Sequence, residues 1–438
     1  MSFPRYPKYK ASGVEWLGEV PEQWGVSCLK HSVKELYSGG TPESGNSAYW
    51  ADDDTDSVPW VAIGDMTRAA VVMTTEKRIT PAGLASKRLR VLPTGTLLYS
   101  MYASLGKVAV LSFPATINQA ILGIVPDSEK LGQRFLRYWL IQIESHLGLF
   151  SNSNTQDNLN AGKVRSLPLL VPTRAEQGII ASFLDRETGK IDALVAEQRR
   201  LIDLLREKRQ AVISHAVTKG LNPHAPMKPS GIEWLGDVPE HWEVSRIGNV
   251  FREVADAGTD ELPILSVSIH HGVSDKEFDE EEMDRKVTRS DDRTKYKQVA
   301  SGDLVYNMMR AWQGGFGTVT VSGMVSPAYV VARPRNLIVT TYVEHLLRTP
   351  QAIEQMRRHS RGITDFRLRL YWDEFKNIRI PLLPQHEAIA ICDAISAMDE
   401  GFDALTAEAE RAIDLLQERR TTLISAAVTG KIDVRGEV

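Results

Sequence analysis

"DLLREKRQAVISHAVT", residues Asp203 to Thr218, returns 211 positions later as "DLLQERRTTLISAAVT", Asp414 to Thr429, with ten of sixteen positions identical. Each copy closes a long proline-free stretch whose apolar residues recur three and four apart. In the first stretch, from Arg174, Leu184, Ile191, Leu194, Leu201, Leu205 and Val212 fall on one seam. In the second, from about His386, the seam holds Ile395, Met398, Phe402, Leu405, Ala412, Leu416 and Leu423. A repeat near 3.5 residues is that of a coiled coil. At 1.5 Å per residue each helix extends about 65 Å, and each stops at a glycine, Gly220 or Gly430, as helix ends commonly do. Helices this long need a partner for the apolar seam. For a duplicated helix, the partner at hand is its own copy. The sequence therefore predicts an intramolecular coiled coil, antiparallel so that the two intervening blocks lie at opposite ends.

Outward from the helices the duplication continues. "GVEWLGEVPEQW" (Gly13 to Trp24) reappears as "GIEWLGDVPEHW" (Gly231 to Trp242), nine of twelve positions identical, and "LPLLVP" (Leu167 to Pro172) is echoed by "IPLLP" (Ile380 to Pro384). Each half thus runs from a Trp-containing leader through a variable block to a Pro-bounded strand and a long helix. This period is far above that of a solenoid. The divisions expected are a leader 1–24, a block 25–173, a helix 174–219, a second leader 220–242, a second block 243–384, a second helix 385–430 and a tail 431–438. Both blocks read as compact α/β or α+β units with short strands. In the first these are "VPWVAIGDM" (Val58 to Met66), "GTLLYS" (Gly95 to Ser100), "KVAVL" (Lys107 to Leu111) and "AILGIVP" (Ala120 to Pro126). In the second they are "LPILSVS" (Leu262 to Ser268), "GDLVYNMM" (Gly302 to Met309), "GTVTV" (Gly317 to Val321) and "AYVVARP" (Ala328 to Pro334). One skeleton carrying different sequences implies one fold with two specificities. The four leader tryptophans, Trp16, Trp24, Trp234 and Trp242, read as packing residues.

Apolar content of 42% and charged content of 25% are those of a globular protein, and 438 residues exceed a single core. No apolar stretch is long enough for a membrane span, and "MSFPRYPKYKASG" lacks the apolar stretch of a secretory signal. Two cysteines, Cys28 and Cys392, fit a reducing compartment and inert thiols; a cytoplasmic location is expected. The net charge of −4 at first opposes a nucleic-acid partner, but it is unevenly spread. Acidic runs lie at Asp52 to Asp56 and Asp279 to Asp284, basic ones at "SKRLR" (Ser86 to Arg90) and from Arg357 to Leu370.

Enzyme motifs are missing. There is no GxxxxGK[ST] loop, no Asn/Asp-Pro-Pro-aromatic tetrapeptide, no HExxH and no CxxC. "PDSEK" (Pro126 to Lys130) is too compressed to gather two carboxylates and a lysine about a metal. His270 and His271 point to opposite faces of any strand, and "GGFG" (Gly314 to Gly317) reads as a hairpin turn.

Taken together, the order of strings resembles the specificity subunit of type I restriction–modification systems. The strings are "SGGTP" (Ser38 to Pro42), "PWVAIGDM", "GTLLYSMYASLGKVAV" and "NTQDNLN" (Asn154 to Asn160), with "EQGIIASFLD" (Glu176 to Asp185) opening the helix. In the second half they are "SGDLVYNMMRAWQGGFG" (Ser301 to Gly317), "SPAYVV" (Ser326 to Val331) and "RGITDFRLRLYWDEFKNIRIPLLP" (Arg361 to Pro384). The resemblance covers nearly the whole chain and rests on order, since no single string is decisive. It implies two duplicated globular target recognition domains separated by two long helices, each domain reading half of an asymmetric double-stranded DNA site. It also implies that the helices act as a ruler and dock two methyltransferase subunits, with motor–nuclease restriction subunits completing the assembly. The chain itself would be non-catalytic, with S-adenosylmethionine, ATP and Mg²⁺ belonging to its partners.

Base readout needs forked or bidentate side chains, and phosphate contacts need cations. The expected DNA-binding residues of the first block are Thr41, Arg68, Lys87, Arg88, Ser100, Tyr102, Ser104, Lys107, Asn118, Gln119, Asn152, Asn154, Gln156 and Asn158. Those of the second are Asn307, Arg310, Trp312, Gln313, Arg357, Arg358, Arg361, Arg367 and Arg369, with Trp312 either a base-step wedge or core. The acidic run Asp279 to Asp284, with Asp291 and Asp292, should face away from DNA or meet a basic partner. Two other readings stand beside this one: a coiled-coil interaction scaffold that never touches nucleic acid, and an enzyme with an unrecognised site.

Overall fold

The computed structural model describes residues 3–52, 56–102, 104–150, 159–259, 261–269, 272–275, 293–336, 338–362 and 368–437. The chain divides into two compact units, residues 1–198 with 411–438 and residues 199–410.

In the first unit a five-stranded sheet is built from β1 (Val33–Ser38), β2 (Val71–Val72), β3 (Leu97–Ser100), β4 (Val108–Leu111) and β5 (Ile121–Pro126), in the order β1-β5-β3-β4-β2. All pairings are antiparallel except β4 with β2. Strand β3 is buried at every residue, which explains its unbroken apolar run. Its side chains alternate between two cores. Leu98 joins Val61, Leu111 and Ile117. Leu97 and Tyr99 face Phe135 and Trp139 of the helix Gln133–Ile143. A second sheet orders Thr116–Ile117, Val58–Val61, Lys77–Ile79 and Trp50–Ala51.

The second unit repeats the central arrangement. Strands β6 (Phe251–Val254), β7 (Leu304–Asn307), β8 (Phe316–Thr318) and β9 (Tyr329–Pro334) pair antiparallel in the order β6-β9-β7-β8. The register matches too: Tyr99 lies opposite Leu122, and Tyr306 opposite Val330. Val305 and Val331 turn into a small core, while Leu304 and Tyr306 join Tyr342, Val343 and Leu346. Gly314, with φ of +91°, supplies the left-handed turn between β7 and β8.

Each leader folds as a short hairpin, Tyr9–Ala11 with Glu19–Pro21 and Met227–Pro229 with Asp237–Pro239. Trp24 and Trp242 are fully buried, whereas Trp16 and Trp234 are half-buried against the same cores. Trp242 donates its indole N–H to Glu387 at 3.0 Å.

The long helices are α1 (Arg174–Lys219) and α2 (Gln385–Val428). Within the first unit, Ile180, Phe183 and Leu184 of α1 share a core with Ile424, Ala427 and Val428 of α2, and Arg420 Nε donates to Asp192 at 2.9 Å. Within the second, Ala216 and Val217 meet Ile391 and Ile395, and Arg209 bridges Asp399 at 2.8 Å and Asp403 at 2.7 Å. In each unit α2 recedes as α1 advances, so the pairing is antiparallel.

Most of the expected seam holds, with Leu184, Ile191 and Ile395 buried and Leu205, Val212, Met398, Phe402, Ala412, Leu416 and Leu423 half-buried, but three leucines fall outside it. Leu194, Leu201 and Leu405 are 51%, 42% and 50% exposed. One position further on, Val195 and Thr406 are half-buried and Ile202 is buried. Polar residues hold several of the inward positions: Thr188 is buried, and Gln198 and Arg209 are half-buried. A count of apolar residues alone skips these positions and slips onto the neighbouring leucines. Among the described residues, no helix is long and apolar enough to cross a membrane.

Candidate nucleic-acid interface

The shared strand order sends several loops to one end of each sheet. In the first unit β1 ends at Ser38, β3 ends at Ser100 and β5 begins at Ile121, so the loops beyond them are neighbours. The "SGGTP" loop leaves β1 and lies on the Asn118–Ala120 turn: Gly40 N donates to Ile117 O at 3.0 Å, and Trp60 Nε1 donates to Gly40 O at 2.9 Å. Thr41 hydrogen-bonds Gln119. Asn118 Oδ1 accepts from Ala120 N at 3.0 Å, which stiffens the turn. Met101 N donates to Ala120 O at 2.8 Å and ties the β3–β4 turn to the same place.

Beside this loop lies a cleft of about 520 Å³, walled by Glu35 to Ser38 of edge strand β1, by Gly39 after it and by Lys87 to Arg90. Lys87 and Arg88 are exposed on its rim. Three further residues lining it, Glu35, Tyr37 and Arg90, carry no sequence motif. Arg90 donates from Nη1 to Tyr37 Oη at 2.9 Å while its guanidinium lies 5.1 Å from the ring centroid, and the Tyr37 hydroxyl also bonds Glu35. The signal for Glu35 and Tyr37 was period-two alternation in "KELYS", which puts both on one face. Arg90 differed from Lys87 and Arg88 only by standing two positions further along the same basic run.

Other residues of the first block have different roles. Ser100 is fully buried; its Oγ accepts from Lys107 N at 2.9 Å and donates to Ser104 O. That spends the hydroxyl on the turn rather than on a ligand. Ser104 adopts a φ of +41°. Lys107 pairs with Glu144 at 2.6 Å, Arg68 with Glu76, and Tyr102 is exposed. Asn152, Asn154, Gln156 and Asn158 lie outside the described residues.

In the second unit the turn after β7 is the focus. Asn307 Oδ1 accepts from Met309 N at 3.0 Å and so shapes the turn. Arg310 and Gln313 are exposed on it. Burial pushes the Tyr329 hydroxyl up, and the neighbouring Arg310 guanidinium opposes that rise. Leu370 N donates to Met308 O at 2.9 Å, and Arg361 and Arg369 exchange both backbone hydrogen bonds at 2.9 Å. The segment carrying Arg369 is thereby fastened beside the Arg310 turn. Arg357, at the end of the helix Pro350–His359, places its guanidinium 5.9 Å from the Trp312 ring centroid. Trp312 packs on the core and is half-buried. Arg358 pairs with Glu354 at 3.2 Å and Arg361 with Glu374. The structure therefore groups Asn307, Arg310, Gln313, Arg357, Arg361 and Arg369 about one turn, with Arg358 on the neighbouring helix. Arg367, His270, His271 and the acidic positions Asp279 to Asp284, Asp291 and Asp292 lie outside the described residues. Among the described residues no group of three or more His, Cys, Asp or Glu side chains could hold a metal ion.

Cations around hydrogen-bonding amides and guanidinium groups, raised on loops from a rigid sheet, suit a polyanion whose base edges carry donors and acceptors. Comparison with known proteins bears on which polyanion. Residues 21–201 match the model of the type I restriction modification DNA specificity domain. The type I restriction enzyme MjaIX specificity subunit of Methanocaldococcus jannaschii is 24% identical over 245 residues, 54% of this chain and 53% of that subunit. The EcoBI specificity subunit of Escherichia coli is 23% identical over 336 residues, 73% of this chain and 70% of that subunit. This chain thus spans about half the length of the first of these relatives and more of the second. A chain in a solved structure concerned with complex assembly and conformational transition of the type I R-M system superposes with a TM-score of 0.60 at 14% identity. That match covers 96% of this chain and 99% of the other, a likeness of fold.

Proposed function

We propose that this chain, which carries a type I restriction modification DNA specificity domain and resembles type I restriction enzyme specificity subunits, is itself a DNA-specificity subunit. Each block reads one half of a split, asymmetric site. The observation that carries this reading is the duplication of the loop-bearing sheet end. The same strands in the same register present different polar side chains in the two units, as two readers of different half-sites would.

Helices α1 and α2 set the spacing. Half-sites one helical turn apart lie ~34 Å centre to centre, and a helix pair keeps its length where a flexible linker would not. The exposed leucines of α1 and α2 offer apolar contacts to two methyltransferase subunits, and motor–nuclease subunits complete the restriction assembly. The chain has no catalytic role in this scheme; S-adenosylmethionine, ATP and Mg²⁺ act on its partners, and the assembly works in the cytoplasm.

Co-expression with a methyltransferase subunit encoded beside it, followed by genome-wide mapping of methyladenine, tests the proposal. A bipartite motif with a fixed gap is expected. A continuous motif, or no new methylation, would refute it.

A further inference from the structure

Strands β3 and β7 leave their sheets through matching tetrapeptides, Tyr99-Ser100-Met101-Tyr102 and Tyr306-Asn307-Met308-Met309. Both tyrosines are buried. The carbonyl that follows is clamped in both units: Met101 O accepts from Leu159 N at 3.2 Å, and Met308 O from Leu370 N at 2.9 Å. The next residue is held out in water, Tyr102 at 38% and Met309 at 44% exposure. A lone exposed apolar side chain is ordinary on a protein surface. Here the same clamped position exposes a large apolar side chain twice, with a different residue each time. Around Met309 the setting is cationic: Arg310 follows it, and the clamp through Leu370 brings Arg369 and its partner Arg361 alongside. A single apolar side chain beside guanidinium groups, as at Met309, is too small a surface for a membrane or for a docking helix. It suits a ligand that combines phosphates with small apolar groups at fixed depth, which describes a DNA groove and the 5-methyl of thymine.

We propose that Met309 and Tyr102 are equivalent apolar base contacts, each packing against base edges of its own half-site, and that Met309 determines specificity in the second block. This rests on the DNA-reading function proposed above. Trp312 gives up that role. Its ring packs on the core beside Arg357, whereas Met309 is exposed and its thioether is flexible enough to fit an irregular groove wall.

The test uses the full chain assembled with methyltransferase subunits and a duplex bearing the mapped site. Met309→Ala, checked to melt like the parent, should bind about ten-fold more weakly. It should also relax the methylated motif at one position of the second block's half-site only. Tyr102→Ala should do the same in the other half-site. Replacing the thymines of the second half-site by deoxyuridine should weaken the parent complex and weaken the Met309→Ala complex no further. Unchanged binding and motif in Met309→Ala, equal relaxation of both half-sites, or additive effects of deoxyuridine and the substitution would each overturn the inference. A parent complex with no bipartite methylation would instead refute the DNA-reading function itself.

Discussion

A β-carbon on Gly39 would lie 2.1 Å from the carbonyl oxygen of Asn118, and that contact explains why "SGGTP" must begin as it does. The loop lies directly on the 117–120 turn, so only a glycine allows Thr41 to reach Gln119. Gly39→Ala should cost about 2 kcal/mol of stability through overpacking, read as a lowered melting temperature, and should separate the two loops. The arginines of the second block behave differently. Arg310 and Arg369 are exposed. Arg310→Ala and Arg369→Ala should therefore leave the melting temperature unchanged while weakening site-specific methylation several-fold. A drop in thermal stability without loss of methylation would assign them to the fold. At this scale residue type was legible and use was not. "SMYASLGK" offers four polar or aromatic groups, yet Ser100 is consumed inside its own turn and Lys107 by Glu144. No local pattern distinguishes a hydroxyl facing a ligand from one closing a turn.

The long helices show the same division one level up. Their existence followed from a duplicated 3.5-residue period, and their antiparallel pairing from placing the two blocks at opposite ends. The phase was legible too except at Leu194, Leu201 and Leu405, because polar residues such as Thr188, Gln198, Arg209 and Thr406 occupy inward positions that hydrophobicity does not mark. Arg209 is tolerated there by Asp399 and Asp403, whose carboxylates offset part of the desolvation of its guanidinium. At those three leucines the neighbouring position is the one whose substitution matters. Ile202→Asp, at a position 7% exposed, places an unpaired carboxylate in the seam. It should cost about 3 kcal/mol or more, measured as loss of melting temperature and of the helical signal. Leu194→Asp, half exposed, should change the stability of the isolated chain by under about 0.5 kcal/mol. The reverse ranking would return Leu194 to the seam.

For the whole molecule, the test of two equivalent readers is an exchange. Replacing residues 243–384 with the corresponding block of a type I specificity subunit should change one half of the methylated motif and leave the other half and the gap intact; a change in both halves would sink the modular reading. Duplication, the two long helices and the α-and-β character of the blocks were determined by the sequence alone. They rest on periodicity and repetition, which are one-dimensional properties that survive wherever the chain goes. The strand order β1-β5-β3-β4, its copy in the second unit and the shared register were decided by tertiary structure. So were the cleft that joins Arg90 to Tyr37 and the clamp that sets Met309 beside Arg369. Each of these depends on backbone hydrogen bonds between residues tens of positions apart, such as Leu370 to Met308. A local pattern records that a strand is buried; only the folded chain selects which distant strand completes its hydrogen bonds.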